Sequence, residues 1–318
     1  MNNYNYRFAD FVIHSEIPLP DLWPATCVDN HADSVMVRRG KVIEPADNAS
    51  TRPGVCYQCA GYEFVLRTPV AAFLIRQGRE VIVEPEPGKP EQDMRPFLSG
   101  PVMAILCYQR GIFVMHGCAL QYQGKTIVLC GQSGCGKSTL SYGLVEKGWQ
   151  LIADEIAPLR KAGEHLLPLL GKRNIYLWEN AAEYFQLPLN DLSTVRSELR
   201  KYVVNTNVPE PPQSGAAVAA VVVLRRATTT AEVILEPATT TEAFNLLLDN
   251  GTYRSEWIQA MRLDVTRFEH YTRAVRSCDI YSLHSFPKIK ALPTAINQLE
   301  SLFFVGTSSG DTGVPAAD

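Results

Sequence analysis

The 318-residue sequence predicts an α/β fold preceded by a β-rich N-terminal module, and three observations carry that reading. Short strand signals separated by turns fill the first ninety residues. From Ile112 onward, strands alternate with helices. A glycine-rich phosphate-loop motif, Gly131 to Thr139, stands at one strand-to-helix junction.

Taken in order, the segments Asp10–Ile13 and Tyr62–Leu66 read as strands, and Ala72–Arg76 with Glu80–Glu84 read as a hairpin around Gln77-Gly78. Prolines at 85, 87 and 90 with Gly88 then interrupt regular structure, so a boundary falls in Glu84–Asp93 and the β-rich module takes residues 1–93. A helix is expected over Pro101–Gln109, with the proline in its first turn and Gly111 as its stop. Strands at Ile112–Met115, Thr126–Cys130 and Gln150–Ala153 follow, with a helix over Lys137–Lys147 ended by Gly148. Later come strands at Ala219–Leu224 and Glu232–Leu235. Thr239 and Glu242 form a capping box that opens a helix reaching to near Gly251. Helices around Trp257–Val275 and Leu292–Phe304 complete a second domain over 94–305, and the small, polar residues 306–318 read as a disordered tail.

Composition removes several function classes. Hydrophobic residues make up 46% and charged residues 20%, with 30 Lys+Arg against 33 Asp+Glu for a net charge of -3. That is the composition of a globular chain with a substantial core. A nucleic-acid groove would show clustered Lys/Arg and a high pI, whereas the pI is about 6.1 and the basic runs stop at pairs such as Arg225-Arg226. The apolar stretch Gly215–Leu224 is far shorter than the ~20 residues of a spanning helix, so it reads as a buried strand and no membrane partner is expected. Met1 to Arg7 has no basic region leading into an apolar core, so a cytoplasmic location with reduced thiols is expected. Of the eight cysteines only Cys56 and Cys59 have metal-site spacing. No second half-site accompanies them, so they are given no metal or redox role.

The motif G-x-x-x-x-G-K-[ST] is matched at every fixed position by Gly131, Gln132, Ser133, Gly134, Cys135, Gly136, Lys137, Ser138 and Thr139. Glycines let successive backbone N–H groups face a polyphosphate, the following helix presents its positive end, and Lys137 adds a point charge. The Ser138 hydroxyl is a hard oxygen ligand suited to Mg²⁺. Cys135 reads as a permissive loop residue. Seventeen residues beyond Lys137, the apolar strand Leu151-Ile152-Ala153 ends in Asp154 and Glu155. Carboxylates at that strand end either serve Mg²⁺ or accept a hydroxyl proton. His116, at the end of Ile112–Met115, reads either as a structural histidine or as part of the site. No LSGGQ signature or distant Walker B strand is present, which sets transporter-type ATPases aside.

His116-Gly117, the phosphate loop and Leu151–Glu155 together resemble the catalytic domain of HPr kinase/phosphorylase, over Met115 to Ile156. Ser15–Pro20, Gln109-Arg110-Gly111 and Ile175–Trp178 resemble the HPr-kinase-related kinases of lasso-peptide and other ribosomal-peptide clusters. The resemblance implies a P-loop kinase core of HPr-kinase/PEP-carboxykinase type. It also implies ATP and Mg²⁺ as cofactors, a peptide or protein acceptor carrying a serine, and compatibility with a homo-oligomer. Asp154 would be the general base, His116 and Lys137 further catalytic residues, and Ser138 and Glu155 metal ligands. The family's glycine-rich segment is poorly matched at Leu167–Gly171, so neither reverse phosphorylase activity nor HPr itself as substrate is carried over. Cations for the transferring group are sought among Lys172, Arg173, Arg200 and Lys201, most of which are expected on solvated surface. A kinase for a free small molecule and a non-catalytic nucleotide-gated module are the alternatives.

Overall fold

Alternation of apolar and polar residues builds the first layer. In Phe11–Ser15 the side chains of Phe11, Ile13 and Ser15 are buried while Val12 and His14 are half-buried, the period of a strand with one face on a core. The computed structural model describes residues 4–25, 34–43, 49–52, 55–206, 216–226, 233–285 and 289–304. Nine strands of the N-terminal region form one mixed sheet. Their order across it is Trp23–Pro24, Tyr4–Phe8, Phe11–Ser15, Ser34–Arg39, Glu80–Pro85, Ala71–Arg76, Glu63–Arg67, Val55–Ala60 and Ala49–Arg52. The hairpin around Gln77-Gly78 is present, with Arg76 opposite Glu80. Cys56 and Cys59 lie within one extended strand, Val55–Ala60, rather than on a turn.

The sheet packs through Phe8, Ile13, Phe64 and Phe73 against a buried helical segment, with Leu19 from a connection and Trp257 closing the same core. That segment corrects the reading of Pro101. Helical structure begins at Glu91 with a 3₁₀ turn, passes through Arg95–Phe97 and a π-helical turn at Leu98–Val102, and ends as the α-helix Met103–Gln109. Pro101 thus sits inside the helix. The wider π turn accommodates a residue that has no N–H and would clash with the carbonyl four residues back in a regular α-helix.

The second half is built on a six-stranded sheet in the order Gln150–Ala153, Gly117–Tyr122, Lys125–Gly131, Val218–Arg226, Asp279–Ser285, Ile234–Pro237. Its centre is parallel, from Lys125–Gly131 through Val218–Arg226 to Asp279–Ser285. Both faces are covered, which explains why these strands read as continuous apolar runs. Ile127 and Leu129 face the helices Lys137–Val145 and Leu292–Phe304, while Val128 and Cys130 face Thr240–Asn250 and Asp264–Ser277. Three strands, Phe113–Met115, Ala157–Ala162 and His165–Pro168, form a small antiparallel sheet, and Asn174–Trp178 pairs with Lys201–Asn205. The Thr239–Glu242 capping box is formed. The region expected as one helix over Trp257–Val275 is two, Ser255–Ala260 and Asp264–Ser277, with Arg262 at φ 57° in the break. No helix among the described residues is long and apolar enough to cross a membrane. Residues 306–318 lie outside the described residues.

Candidate active site

Strand direction brings the predicted residues together. Gly117–Tyr122 runs antiparallel to both of its neighbours, with Gly117 opposite Cys130 and Ala119 opposite Ala153. One edge of the sheet therefore collects the start of Gly117–Tyr122 and the ends of Lys125–Gly131 and Gln150–Ala153. At the same edge the chain twice changes sheets. It crosses at His116, between Phe113–Met115 and Gly117–Tyr122, and again at Asp154–Ile156, between Gln150–Ala153 and Ala157–Ala162. The two crossings touch: the Gly117 N–H donates to the Glu155 carbonyl at 3.1 Å. Only glycine fits at 117, because a Cβ there would lie 2.3 Å from the Leu129 carbonyl oxygen.

The resulting cavity, about 550 Å³, is lined by Ser133 to Thr139 on one side and by His116, Asp154, Glu155 and Lys172 on the other. Gly131 and Gln132 are not on its wall, but their carbonyls accept from Lys137 Nζ at 2.6 and 3.1 Å. Positive φ values at Gly131, Gly134 and Gly136 bend the loop into the start of the helix Lys137–Val145. Ser138 and Thr139, in the first turn of that helix, lie on the cavity wall, where a helix start offers backbone donors to an anion.

The opposite wall is made of charges. Asp154 is 2% exposed and Lys172 is fully buried. Lys172 Nζ stands 3.3 Å from Asp154 Oδ2 and 3.1 Å from Glu155 Oε2. Burial alone would lower the Lys172 ammonium, but Glu155 and Asp154 outweigh it and hold it well above its ordinary range. The Cys118 thiol donates to Asp154 Oδ1 at 2.9 Å. Burial first, then the Asp154 charge, pushes that thiol well up, so it stays protonated and able to donate. Glu155 has a φ of 70°, a left-handed conformation that is uncommon outside glycine and clusters at functional sites. His116 is pulled down to about 3, by burial and then by the positive charges of Lys137 and Arg254, so its ring is neutral at physiological pH. The ring meets Tyr253 edge-on at 5.4 Å.

Of the four basic candidates, Lys172 and Lys201 line the cavity, whereas Arg173 stacks over Trp23 and Arg200 pairs with Glu179 at an exposed position. Lys172 is therefore an exception to the solvated surface expected for most of the four. It is the central cation of the site. Lys201 rests on the rings of Tyr176 and Trp178, at 5.6 and 5.4 Å from their centroids. Burial and the nearby Lys172 charge lower its ammonium. One sequence signal could have found Lys172: it follows the apolar run Leu166–Gly171 directly, where a charge requires a buried partner.

Residues 112–177 match the family model described as the HPr Serine kinase C-terminal domain. Three curated relatives agree over the same kind of short stretch. HPr kinase/phosphorylase of Chlorobium phaeovibrioides is 37% identical over 60 residues, covering 19% of this chain and 18% of the relative. The protein of the same name from Chlorobium limicola is 39% identical over 59 residues, 19% and 18%. That from Exiguobacterium sp. is 40% identical over 53 residues, 17% of each. The chain thus spans less than a fifth of the length of these relatives. The solved Hpr(Ser) kinase/phosphatase from Coxiella burnetii aligns with 61% of this chain and 99% of its own at 11% identity. Its TM-score of 0.31 is too low to bear on the fold. The segment that builds both walls of the cavity is HPr-kinase-like.

Proposed function

We propose that this chain is an ATP-dependent P-loop kinase that transfers a phosphoryl group to a serine hydroxyl of a peptide or protein in the cytoplasm, with a lasso-type precursor peptide as the preferred acceptor class. The observation that carries this reading is the single cavity joining the loop of Gly131 to Thr139 with the buried acid Asp154. The donor set suits the expected ligands: a glycine-bent loop, a helix start and Lys137 for a triphosphate, and the Ser138 hydroxyl with the Glu155 carboxylate for Mg²⁺. Mg²⁺-ATP, when bound, supplies the γ-phosphoryl group and neutralises part of its charge.

The chain's own residues do the rest. Lys137 turns from its loop carbonyls toward the phosphates. Each Asp154 oxygen keeps a lone pair beyond those used by Cys118 and Lys172, enough to receive the acceptor's hydroxyl proton. Lys172 holds that carboxylate in one orientation, and burial of the pair keeps water from competing with the hydroxyl. Neutral His116 adds no charge to this wall, which suits a hydrogen-bonding or packing role beside it.

The test is transfer of ³²P from [γ-³²P]ATP to a pooled serine-peptide library in Mg²⁺, with the modified residue located by mass spectrometry. Phosphoserine on a peptide subset is expected. Binding of ATP with transfer only to small hydroxyl compounds would shift the reading to a small-molecule kinase, and absence of nucleotide binding would remove it altogether.

A further inference from the structure

Behind the charged wall lies a second buried carboxylate that phosphoryl transfer as described does not use. Asp21 belongs to the N-terminal region, directly after the Ile17-Pro18-Leu19-Pro20 segment, and is 4% exposed. It accepts hydrogen bonds from the Tyr176 hydroxyl at 2.7 Å, from Asn174 Nδ2 at 3.0 Å and from Ser99 Oγ at 3.4 Å. Its backbone carbonyl accepts the Arg173 N–H at 2.9 Å. Only a carboxylate side chain can accept from these three side-chain donors at both of its oxygens, since an amide would present one oxygen and one competing N–H₂.

Tyr176 faces two ways. Its hydroxyl is fixed by Asp21, and its ring carries the Lys172 ammonium 3.4 Å from the centroid. Lys172 in turn bridges Asp154 and Glu155. Ser99 sits in the π-helical turn, and the next residue, Gly100, comes close enough to the Glu155 carboxylate that a Cβ there would be 3.1 Å from Oε2. The same turn therefore touches Asp21 at one residue and Glu155 at the next, and π turns of this kind recur at functional sites.

We propose that Asp21 and Tyr176 are positioning residues: through the Tyr176 ring they fix the Lys172 ammonium between the Asp154 and Glu155 carboxylates, so the N-terminal module sets the geometry of the transfer site. An ammonium is a point charge on a flexible stem, and two carboxylates alone leave it several placements. A ring anchored at its far end by a charge-assisted hydrogen bond supplies the third constraint. The inference rests on the reading of Asp154 as the proton acceptor, and the experiment separates the two.

Tyr176→Phe removes the hydroxyl and keeps the ring; Asp21→Asn removes the charge and orphans at least one donor. Each is compared with the wild-type full chain in three measurements: the calorimetric dissociation constant for Mg²⁺-ATP, kcat and KM for ATP turnover with pooled serine peptides, and acetylation of Lys172 by acetic anhydride, followed by mass spectrometry. Both variants are expected to bind Mg²⁺-ATP as the wild type does, to lose kcat by about 10- to 100-fold with KM little changed, and to expose Lys172 to acetylation. Unchanged kcat with Lys172 still protected would overturn the proposal and leave Asp21 a docking contact. If the wild type itself neither binds nor turns over ATP, the kinase reading fails. Lys172 protection then decides the positioning alone: protection lost in the variants upholds it, and protection kept overturns it.

Discussion

The two walls of the cavity are built by opposite means. The loop wall is local and made largely of backbone: its groups come from nine consecutive residues, its glycines permit the bend, and its cation Lys137 bonds to carbonyls five and six residues away. The charged wall is non-local and made of side chains. Asp154, Glu155 and Lys172 meet only after an intervening hairpin, Ala157–Ala162 with His165–Pro168, and their supports come from residues as distant as Asp21 and Ser99. A wall of backbone donors tolerates exchange of most side chains. A wall of buried charges does not, because removing one member leaves its partners uncompensated.

The largest expected effect tests whether chemistry and nucleotide binding divide between the walls as drawn. Asp154→Asn is nearly isosteric but cannot take a proton, so phosphoryl transfer should fall by about 10²- to 10⁴-fold, while calorimetry shows Mg²⁺-ATP still bound. Equal losses of binding and transfer would place Asp154 with the loop wall as a metal ligand. Lys172→Met comes next. It leaves Asp154 and Glu155 without their cation, and unfolding in urea should show a loss of about 3–5 kcal/mol. The triple variant Asp154→Asn, Glu155→Gln, Lys172→Met should recover much of that loss, since no unpaired charge remains. Lys137→Met should cost much less stability, because Lys137 bonds to neutral loop carbonyls and its loss leaves no buried carboxylate uncompensated.

A third change addresses the floor on which both walls stand. Gly117→Ala places a methyl group against the Leu129 carbonyl in the strand that leads into the loop. Overpacking of this kind costs about 1–3 kcal/mol, so a lower urea midpoint together with weaker Mg²⁺-ATP binding is expected. A variant with unaltered binding would show that the loop holds its shape without the strand beside it.

The same contrast explains what could be read in the residues beforehand. The loop was legible because every partner it needs lies inside one motif, and the strands that frame it were legible from their apolar runs. Asp154 was visible for the same reason, as an acid ending such a run. Lys172 was legible only as one of four candidate cations, with the apolar run Leu166–Gly171 as the sole hint of its burial, and Tyr176 and Asp21 were not legible, since nothing in their neighbourhoods marks a partner far away in the chain. The strands Gly117–Tyr122, Ala157–Ala162 and Asn174–Trp178 also escaped. They mix polar and apolar residues without clean alternation, because the first three or four residues of each are buried on both faces. Pro101 misled because a proline near a helix start is the usual case, and the π turn that admits it within a helix has no signature of its own.

The last effect, confined to acid pH, concerns His116, which stands on the charged wall where the chain crosses between the two sheets. Burial and the charges of Lys137 and Arg254 depress its pKa to about 3, with Asp154 pulling the other way. The unfolded chain therefore binds this proton at a pH where the folded chain does not, and its contribution to stability is lost as pH falls from about 6.5 toward 3. At pH 5 the loss should approach about 2 kcal/mol for this group alone. Carboxylates that protonate in the same range act on wild type and variant alike, so the difference between them isolates the histidine. Urea midpoints at pH 7 and pH 5 should fall less for His116→Asn than for the wild type. An equal fall in both would mean that the ring accepts a proton in the folded state, turning toward Asp154 rather than resting against Tyr253.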